Sequence, residues 1–121
     1  MEIITNLKEA NLLLQRFQGA TAQLYAYSLS LRRMAIKLIL PQKNEVAYII
    51  GVCCEHLVAS FDWNNANLSI LTDDKLDTGE NMTKIIDKDS GFELITVGGF
   101  TVAFGLEEEF GDSFEDFIKA K

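Results

Sequence analysis

Cysteine, proline, histidine and tryptophan are scarce in this chain of 121 residues, which has two cysteines and one each of the others. A structural zinc site usually takes four Cys or His ligands, and only three such residues are present. Cys53 and Cys54 are neighbours, and neighbouring side chains of a strand point to opposite faces. We therefore expect reduced thiols, with no disulfide, no bound metal and no cofactor.

A long apolar run is also missing. No stretch approaches the ~18 residues that a membrane-spanning helix needs, and the segment Met1–Thr5 lacks the basic region of a signal peptide. These features predict a cytoplasmic protein with no membrane partner. Apolar residues make up 48% of the chain, too many for a disordered protein, and the length predicts a single domain over residues 1–121.

Basic residues are scarce in the second half only. Residues 62–121 carry fourteen acids and five bases, a net charge of −9, whereas residues 1–61 carry four acids and six bases, a net charge of +2. An acidic half repels a phosphate backbone, which argues against a nucleic-acid partner. It suits a basic protein partner, although such charge also simply keeps a protein soluble.

Alternating apolar residues mark the strands. In Met34–Leu40 every second side chain is large and apolar, a period typical of a strand with one buried face. Leu24–Leu31 alternates in the same way and is close in sequence, so we predict a hairpin. Val46–Ser60 is apolar on both faces, which is typical of a central strand. Gly51 within it predicts a bulge or a close packing contact.

Helical spacing marks both ends of the chain. Residues 6–19 predict a helix capped by Asn6, with Glu9 three residues on as in a capping box. The segment Leu106–Lys121 predicts a second helix, since acids begin it and lysines end it. Its apolar stripe consists of Phe110, Phe114, Phe117 and Ile118.

The middle of the chain predicts further short strands. The tryptophan-containing stretch 60–67 predicts a polar turn, and Asp73–Asn81 predicts an exposed loop. Gly98-Gly99 predicts a tight hairpin, because both central positions of that turn need positive φ. The strands predicted around these turns are Leu68–Thr72, Thr83–Asp87, Phe92–Val97 and Phe100–Phe104.

Short connections throughout favour an antiparallel sheet. The predicted fold class is α+β, with one sheet of about six to seven strands built from hairpins and flanked by an N-terminal and a C-terminal helix. Because the Val46–Ser60 strand needs cover on both faces, a homodimer is a further expectation.

Two motifs suggest chemistry but also have plainer explanations. Cys54 and His56 share a strand face, yet the i, i+2 spacing puts their Cβ atoms about 7 Å apart, long for a nucleophile and its base. Core cysteines in an apolar strand are the alternative. Asp87–Gly91 resembles the start of a calcium loop, but Gly91 comes one position too early and Gly98 stands where the closing glutamate belongs. A turn accounts for the same residues. We therefore lean against an enzyme and assign no catalytic residue.

The function that this sequence favours is a non-enzymatic protein-interaction module. A concrete instance is an immunity-type protein, whose acidic C-terminal half would bind and block a basic toxin. The candidate partner-binding acids are Glu107, Glu108, Glu109, Asp112, Glu115 and Asp116.

The alternative is a small-molecule-binding or enzymatic domain with a pocket between the N-terminal helix and the sheet. Aromatic residues cluster in the stretch around the histidine, although aromatic strand residues also serve as core. The candidate ligand-binding residues are Tyr25, Tyr27, Cys54, His56 and Trp63.

Overall fold

The computed structural model describes residues 2–40, 43–73 and 82–110. Within these ranges the chain forms one α-helix, ten strands and two short 3₁₀ turns, and all strand pairs are antiparallel. No helix in these ranges is long and apolar enough to cross a membrane. The elements in chain order are β1 (Glu2–Ile4), α1 (Leu7–Arg16), β2 (Ala20–Ser28), a 3₁₀ turn (Ser30–Arg32), β3 (Arg33–Ile39), β4 (Glu45–Gly51), β5 (Cys54–Val58), β6 (Asp62–Ala66), β7 (Ser69–Asp73), β8 (Met82–Asp87), β9 (Phe92–Thr96), β10 (Phe100–Leu106) and a 3₁₀ turn (Glu107–Glu109).

The strands divide between two sheets, where the sequence predicted one. The first has the order β1-β10-β4-β3-β2-β6, and the second has the order β5-β9-β8-β7. The α+β class with antiparallel sheets is confirmed. The predicted hairpin is also present, because β2 pairs with β3. β4 is central as expected, since it lies between β10 and β3.

A sharp bend in a two-stranded ribbon produces the second sheet. Beyond β4, Cys53 adopts a left-handed conformation with φ of 56°, and the chain continues as β5 in the other sheet. The chain from β9 to β10 also passes from one sheet to the other beside it. The Val52 carbonyl accepts a hydrogen bond from the Gly98 amide at 2.9 Å, and the Val52 amide donates to the Gly99 carbonyl at 3.1 Å. The ribbon β4/β10 thus continues as β5/β9. We call residues 51–53 and 97–99 the sheet corner.

Two predictions change at the sheet corner. Val46–Ser60 is two strands in different sheets, and Gly98-Gly99 joins strands that do not pair with each other. The expectation of a close contact at Gly51 is met, because a Cβ there would lie 2.7 Å from Cγ2 of Thr96.

The core lies between the inner faces of the two sheets and the apolar face of α1. Asn6 caps this helix as predicted, since its side chain accepts from the Glu9 amide at 3.0 Å. From α1, Ala10, Leu13 and Leu14 enter the core. Buried strand residues of the same cluster include Ile36, Ile49 and Val102 from the first sheet and Ile70, Ile85 and Leu94 from the second. The space where a pocket was predicted therefore contains packed apolar side chains.

The first residues of the predicted C-terminal helix form the end of a strand and a 3₁₀ turn instead of an α-helix. Residues up to Leu106 belong to β10, and Glu107–Glu109 form a 3₁₀ turn. Residues 111–121, which include most of the predicted helix, lie outside the described residues, as does most of the predicted loop Asp73–Asn81.

The side chain of Asn11 forms hydrogen bonds between α1 and the edge of the second sheet. Asn11 donates to the Ile70 carbonyl at 2.9 Å and accepts from the Ile70 amide at 2.8 Å, so it continues the hydrogen-bonding pattern beyond β7. Asn11→Ala leaves these backbone groups without their partner, and we expect it to lower the free energy of unfolding by about 2 kcal/mol.

Urea unfolding measures this loss, and hydrogen exchange should show faster exchange of the Ile70 amide. Gln15→Ala is the matched control, because Gln15 is exposed on the same helix. If Asn11→Ala lowered the free energy of unfolding no more than Gln15→Ala does, the two hydrogen bonds to Ile70 would not contribute to stability.

Candidate functional site

The tip of the β2–β3 hairpin carries exposed apolar side chains in a strained backbone. Leu31 and Arg32 both have positive φ, at 57° and 43°. Left-handed conformations cost a non-glycine residue about 1–2 kcal/mol each. The conformation is held from the sheet corner, where the Cys53 amide donates to the Leu31 carbonyl at 2.8 Å, and by an ion pair between Arg32 and Glu55 at 3.5 Å.

The edge of β2 continues this exposed region. β6 pairs with β2 only from Ala20 to Gln23, and the Leu24 amide then donates to the Phe61 carbonyl at 2.8 Å. Among the described residues, no strand follows β6 along the remaining edge, Ala26–Ser28. An open strand edge of this kind presents backbone groups to which another strand can pair.

Four large apolar residues lie along this edge and its tip. The Phe61 carbonyl accepts a hydrogen bond from the Leu24 amide. Tyr27 is three residues beyond Leu24, a distance of about 10 Å along an extended strand. Groups of exposed apolar side chains close together in the fold mark interaction sites on soluble proteins. We call these residues the edge patch: Tyr27, Leu29, Leu31 and Phe61, with 52, 84, 63 and 86% of their surface exposed.

The sequence signalled the edge patch only in part. Tyr27 is one of the predicted ligand-binding residues, and Phe61 belongs to the aromatic cluster on which that prediction depends, whereas Leu29 and Leu31 are predicted only as alternating strand residues. Leucines that continue an alternating pattern into a turn were one available signal. A phenylalanine among the polar residues 60–67 was another.

The predicted ligand-binding residues lie in separate environments. Tyr25 packs edge-on against Tyr48 with ring centroids 5.1 Å apart, whereas Tyr27 belongs to the edge patch. Cys54 and His56 are both on β5, but His56 is exposed and lies 3.9 Å from the carboxylate of Glu93.

The side chain of Cys54 is partly buried and packs against the core. Burial raises its pKa to about 11, which keeps it protonated and unreactive at neutral pH. No group of three His, Cys, Asp or Glu side chains in the described ranges is arranged to hold a metal ion.

Trp63 belongs to a buried hydrogen-bond network instead of a pocket wall. Its ring stacks on Phe92 at 4.9 Å, and its indole N–H donates to Oδ2 of Asp87 at 2.9 Å. Asp87 is 1% exposed and also accepts backbone N–H groups of Asn67, Asp89 and Ser90. Burial alone would raise the pKa of this carboxyl, but these hydrogen bonds lower it below its ordinary value. Asp87–Gly91 is therefore a turn ordered by its first residue.

The predicted acidic surface is partly occupied within the chain. Glu107 pairs with Lys37 at 2.6 Å, and Glu109 accepts from the Leu106 amide at 2.8 Å. Glu108 is exposed. The other predicted acids, Asp112, Glu115 and Asp116, lie outside the described residues.

Lys37 is the buried cation of the outer face of the first sheet. It is 8% exposed, and its ammonium lies 5.3 Å from the Tyr25 ring centre and 5.7 Å from that of Tyr48. Burial alone would lower the pKa of Lys37, but the hydrogen bond with Glu107 and the nearby Tyr48 raise it. Phe110 packs on Tyr48 at 4.7 Å, so the turn that follows β10 is attached to this face by charge and by ring packing.

The two partners of this ion pair should differ in their mutational cost. Glu107→Ala leaves a buried ammonium without its carboxylate, and we expect a loss of about 1–2 kcal/mol in unfolding free energy. Lys37→Met should change stability by less than about 1 kcal/mol, because it removes the buried charge and leaves the exposed Glu107 in water. Urea denaturation measures both, with Glu108→Ala as control. Equal effects of the Glu107 and Glu108 variants would contradict this prediction.

Open grooves lined by described residues lie elsewhere on the surface. One, of about 410 Å³, is lined by Thr5, Thr72, Thr83, Val97, Gly98, Gly99 and Phe100, and the other, of about 390 Å³, by Asn44, Leu106, Glu107 and Glu108. Neither is lined by any of the five predicted ligand-binding residues.

The comparisons with known proteins give no family. The sequence matches no protein-family model, no curated protein and no solved structure at a significant level.

Proposed function

We propose that this chain is a non-enzymatic protein-interaction module and that the edge patch is its recognition surface. The observation that supports this most is the exposure of Phe61 and Leu29, at 86 and 84%, beside an open strand edge. Large apolar and aromatic side chains at such sites are the usual anchors of protein–protein contacts. The backbone strain at Leu31 and Arg32 supports the same proposal, because strained conformations cluster at functional sites.

Photo-crosslinking in intact cells tests the proposal. A benzophenone amino acid replaces Phe61, and Leu12 is the matched control, because it is 54% exposed on α1 and distant in sequence from the edge patch. We expect a discrete protein adduct after irradiation with the probe at position 61 and much less of it with the probe at position 12. No adduct above that control would reject the edge patch as a recognition surface.

An immunity-type role is a second candidate, and the charge distribution favours it. The net charge of −9 in residues 62–121 would speed association with a basic toxin through long-range attraction. Glu108 is the described acid best placed to contribute, because it is exposed while Glu107 pairs with Lys37. Neutralising the six predicted acids should slow association with a basic partner, and an unchanged salt dependence of binding would reject this role.

A further inference from the structure

The open edge of β2 has a length and an environment that suit pairing with the same edge of a second copy of the chain. At one end the open edge stops at Leu24, whose amide donates to the Phe61 carbonyl. At the other end it stops at the 3₁₀ turn that begins at Ser30. Among the described residues, no strand pairs with the segment Ala26–Ser28 between these two limits. Antiparallel pairing about a twofold axis needs such a segment to be complementary to itself.

We propose that two copies of this chain associate by antiparallel pairing of their β2 edges, with the twofold axis near Tyr27. The proposal rests on the proposed function, because it identifies a second copy as the protein that the edge patch recognises. The two six-stranded sheets then form one continuous sheet across the axis. A strand directly opposite in such a pair is ~5 Å away, so the two Tyr27 residues become neighbours.

The apolar residues of the edge patch match under this symmetry. Leu29 follows β2 directly and has a helical backbone conformation at the start of the 3₁₀ turn, so with the axis at Tyr27 it lies at the end of the paired segment, near the Leu24–Phe61 hydrogen bond of the other copy. The exposed Leu29 and Phe61 of different copies are thereby brought together at both ends of the paired segment. Burying such large apolar side chains stabilises an interface, and symmetry makes every contact occur twice.

The charges are also compatible with this arrangement. Asp62 is exposed and pairs in register with Gln23, beside the Leu24–Phe61 hydrogen bond. The turn that carries Arg32 follows Leu29, so the basic tip of one copy comes to the side of the other that carries Asp62. Opposite charges at the rim of an interface fix its register.

Disulfide trapping tests the axis directly. In a dimer of the Tyr27→Cys variant, the Cα atoms of the two new cysteines would lie within the ~4.4–6.8 Å separation that a disulfide requires. We expect diamide to convert this variant to a covalent dimer, seen on a non-reducing gel. Wild type controls for Cys53 and Cys54, and Leu71→Cys, 49% exposed on β7, controls for random collision. Crosslinking of the Tyr27 variant no faster than the Leu71 variant overturns the proposal.

Sedimentation equilibrium gives an independent result. Wild type should sediment at twice its mass of 13.6 kDa, and Leu29→Asp should weaken association by at least about tenfold while Leu12→Asp leaves it unchanged. Both sites are exposed, so folding should survive, and thermal melting checks this. A monomeric wild type, or a dimer equally stable in Leu29→Asp, overturns the proposal. An adduct at position 61 with a different protein in cells would keep the proposed function and reject the second copy as its partner.

Discussion

Asp87→Ala is expected to lower the free energy of unfolding by about 3 kcal/mol, the largest loss among the single substitutions considered. The carboxylate accepts hydrogen bonds from Trp63 and from backbone amides on two separate turns. Removing it leaves these donors without their acceptor in a site that is 1% exposed. Among the described residues, the hydrogen bonds that connect β6 to the β8–β9 turn are those of Asp87, so the substitution also removes this connection.

The same site predicts a specific pH dependence. The folded-state pKa of Asp87 lies below its ordinary value of 3.8, so the ionised carboxylate stabilises the fold above that value. This contribution is lost as the pH falls through the folded-state pKa. Asp87→Asn cannot ionise and directs its own N–H groups at donors, so it should be destabilised at neutral pH and should approach wild type as the pH is lowered.

Urea unfolding of wild type, Asp87→Asn and Asp89→Ala at neutral pH and over a series of acidic pH values measures both effects. Asp89 is the control, because it is an exposed acid of the same turn. If the difference between wild type and Asp87→Asn stayed constant down to acid pH, the carboxylate would not be the stabilising group.

Gly51→Ala is expected to cost about 2–3 kcal/mol, because the sheet corner has no room for a methyl group. The added Cβ would lie 2.7 Å from Cγ2 of Thr96 and 3.2 Å from both Sγ of Cys54 and a methyl of Leu94. Thr96 is fully buried, and its hydroxyl donates to the Gly99 carbonyl at 3.1 Å, so it has little freedom to move.

A double-mutant cycle isolates this contact. Thr96→Ser removes Cγ2 but keeps the hydroxyl, so Gly51→Ala should cost at least about 1 kcal/mol less in the Thr96→Ser background than in wild type. Ile36→Val, a core truncation in a different strand, gives a control background in which the cost of Gly51→Ala should be unchanged. Additivity of Gly51→Ala and Thr96→Ser would show that another contact limits this position.

Local patterns in the sequence predicted local structure well. The capping of α1 by Asn6 depends on residues three apart, and the β2–β3 hairpin depends on two adjacent alternating segments, so both could be read directly. The position of β4 in the middle of its sheet followed from its apolar character on both faces.

Long-range relations could not be read in this way. The bend at Cys53 depends on hydrogen bonds from Val52 and Cys53 to residues 97–99, which connect β9 to β10, and nothing in the local pattern of Val46–Ser60 indicates where the chain turns. Likewise β6 was predicted as a polar turn, because a short strand of exposed Asp and Asn residues lacks apolar alternation and is fixed by its pairing with β2.

The candidate site was hidden for a related reason. Exposure is a property of the folded surface, so the alternation that includes Leu29 reads the same whether the residue is core or surface. The residues that did suggest chemistry, Cys54 and Trp63, are occupied by packing and by the Asp87 network.

The pairing of β1 with β10 has a consequence for the order in which the protein forms. Glu2 lies opposite Phe104, and β10 is also the strand that joins β1 to β4. On the ribosome, α1 and the β2–β3–β4 meander emerge early, but the partner that β1 has among the described residues is β10, which is synthesised about 100 residues later. Contacts so distant in sequence slow folding, because the entropy of closing the chain is lost before they form. Completion of the first sheet should therefore be a late step of folding, and until then the β4 edge that later receives β10 is exposed to chaperones and to other nascent chains.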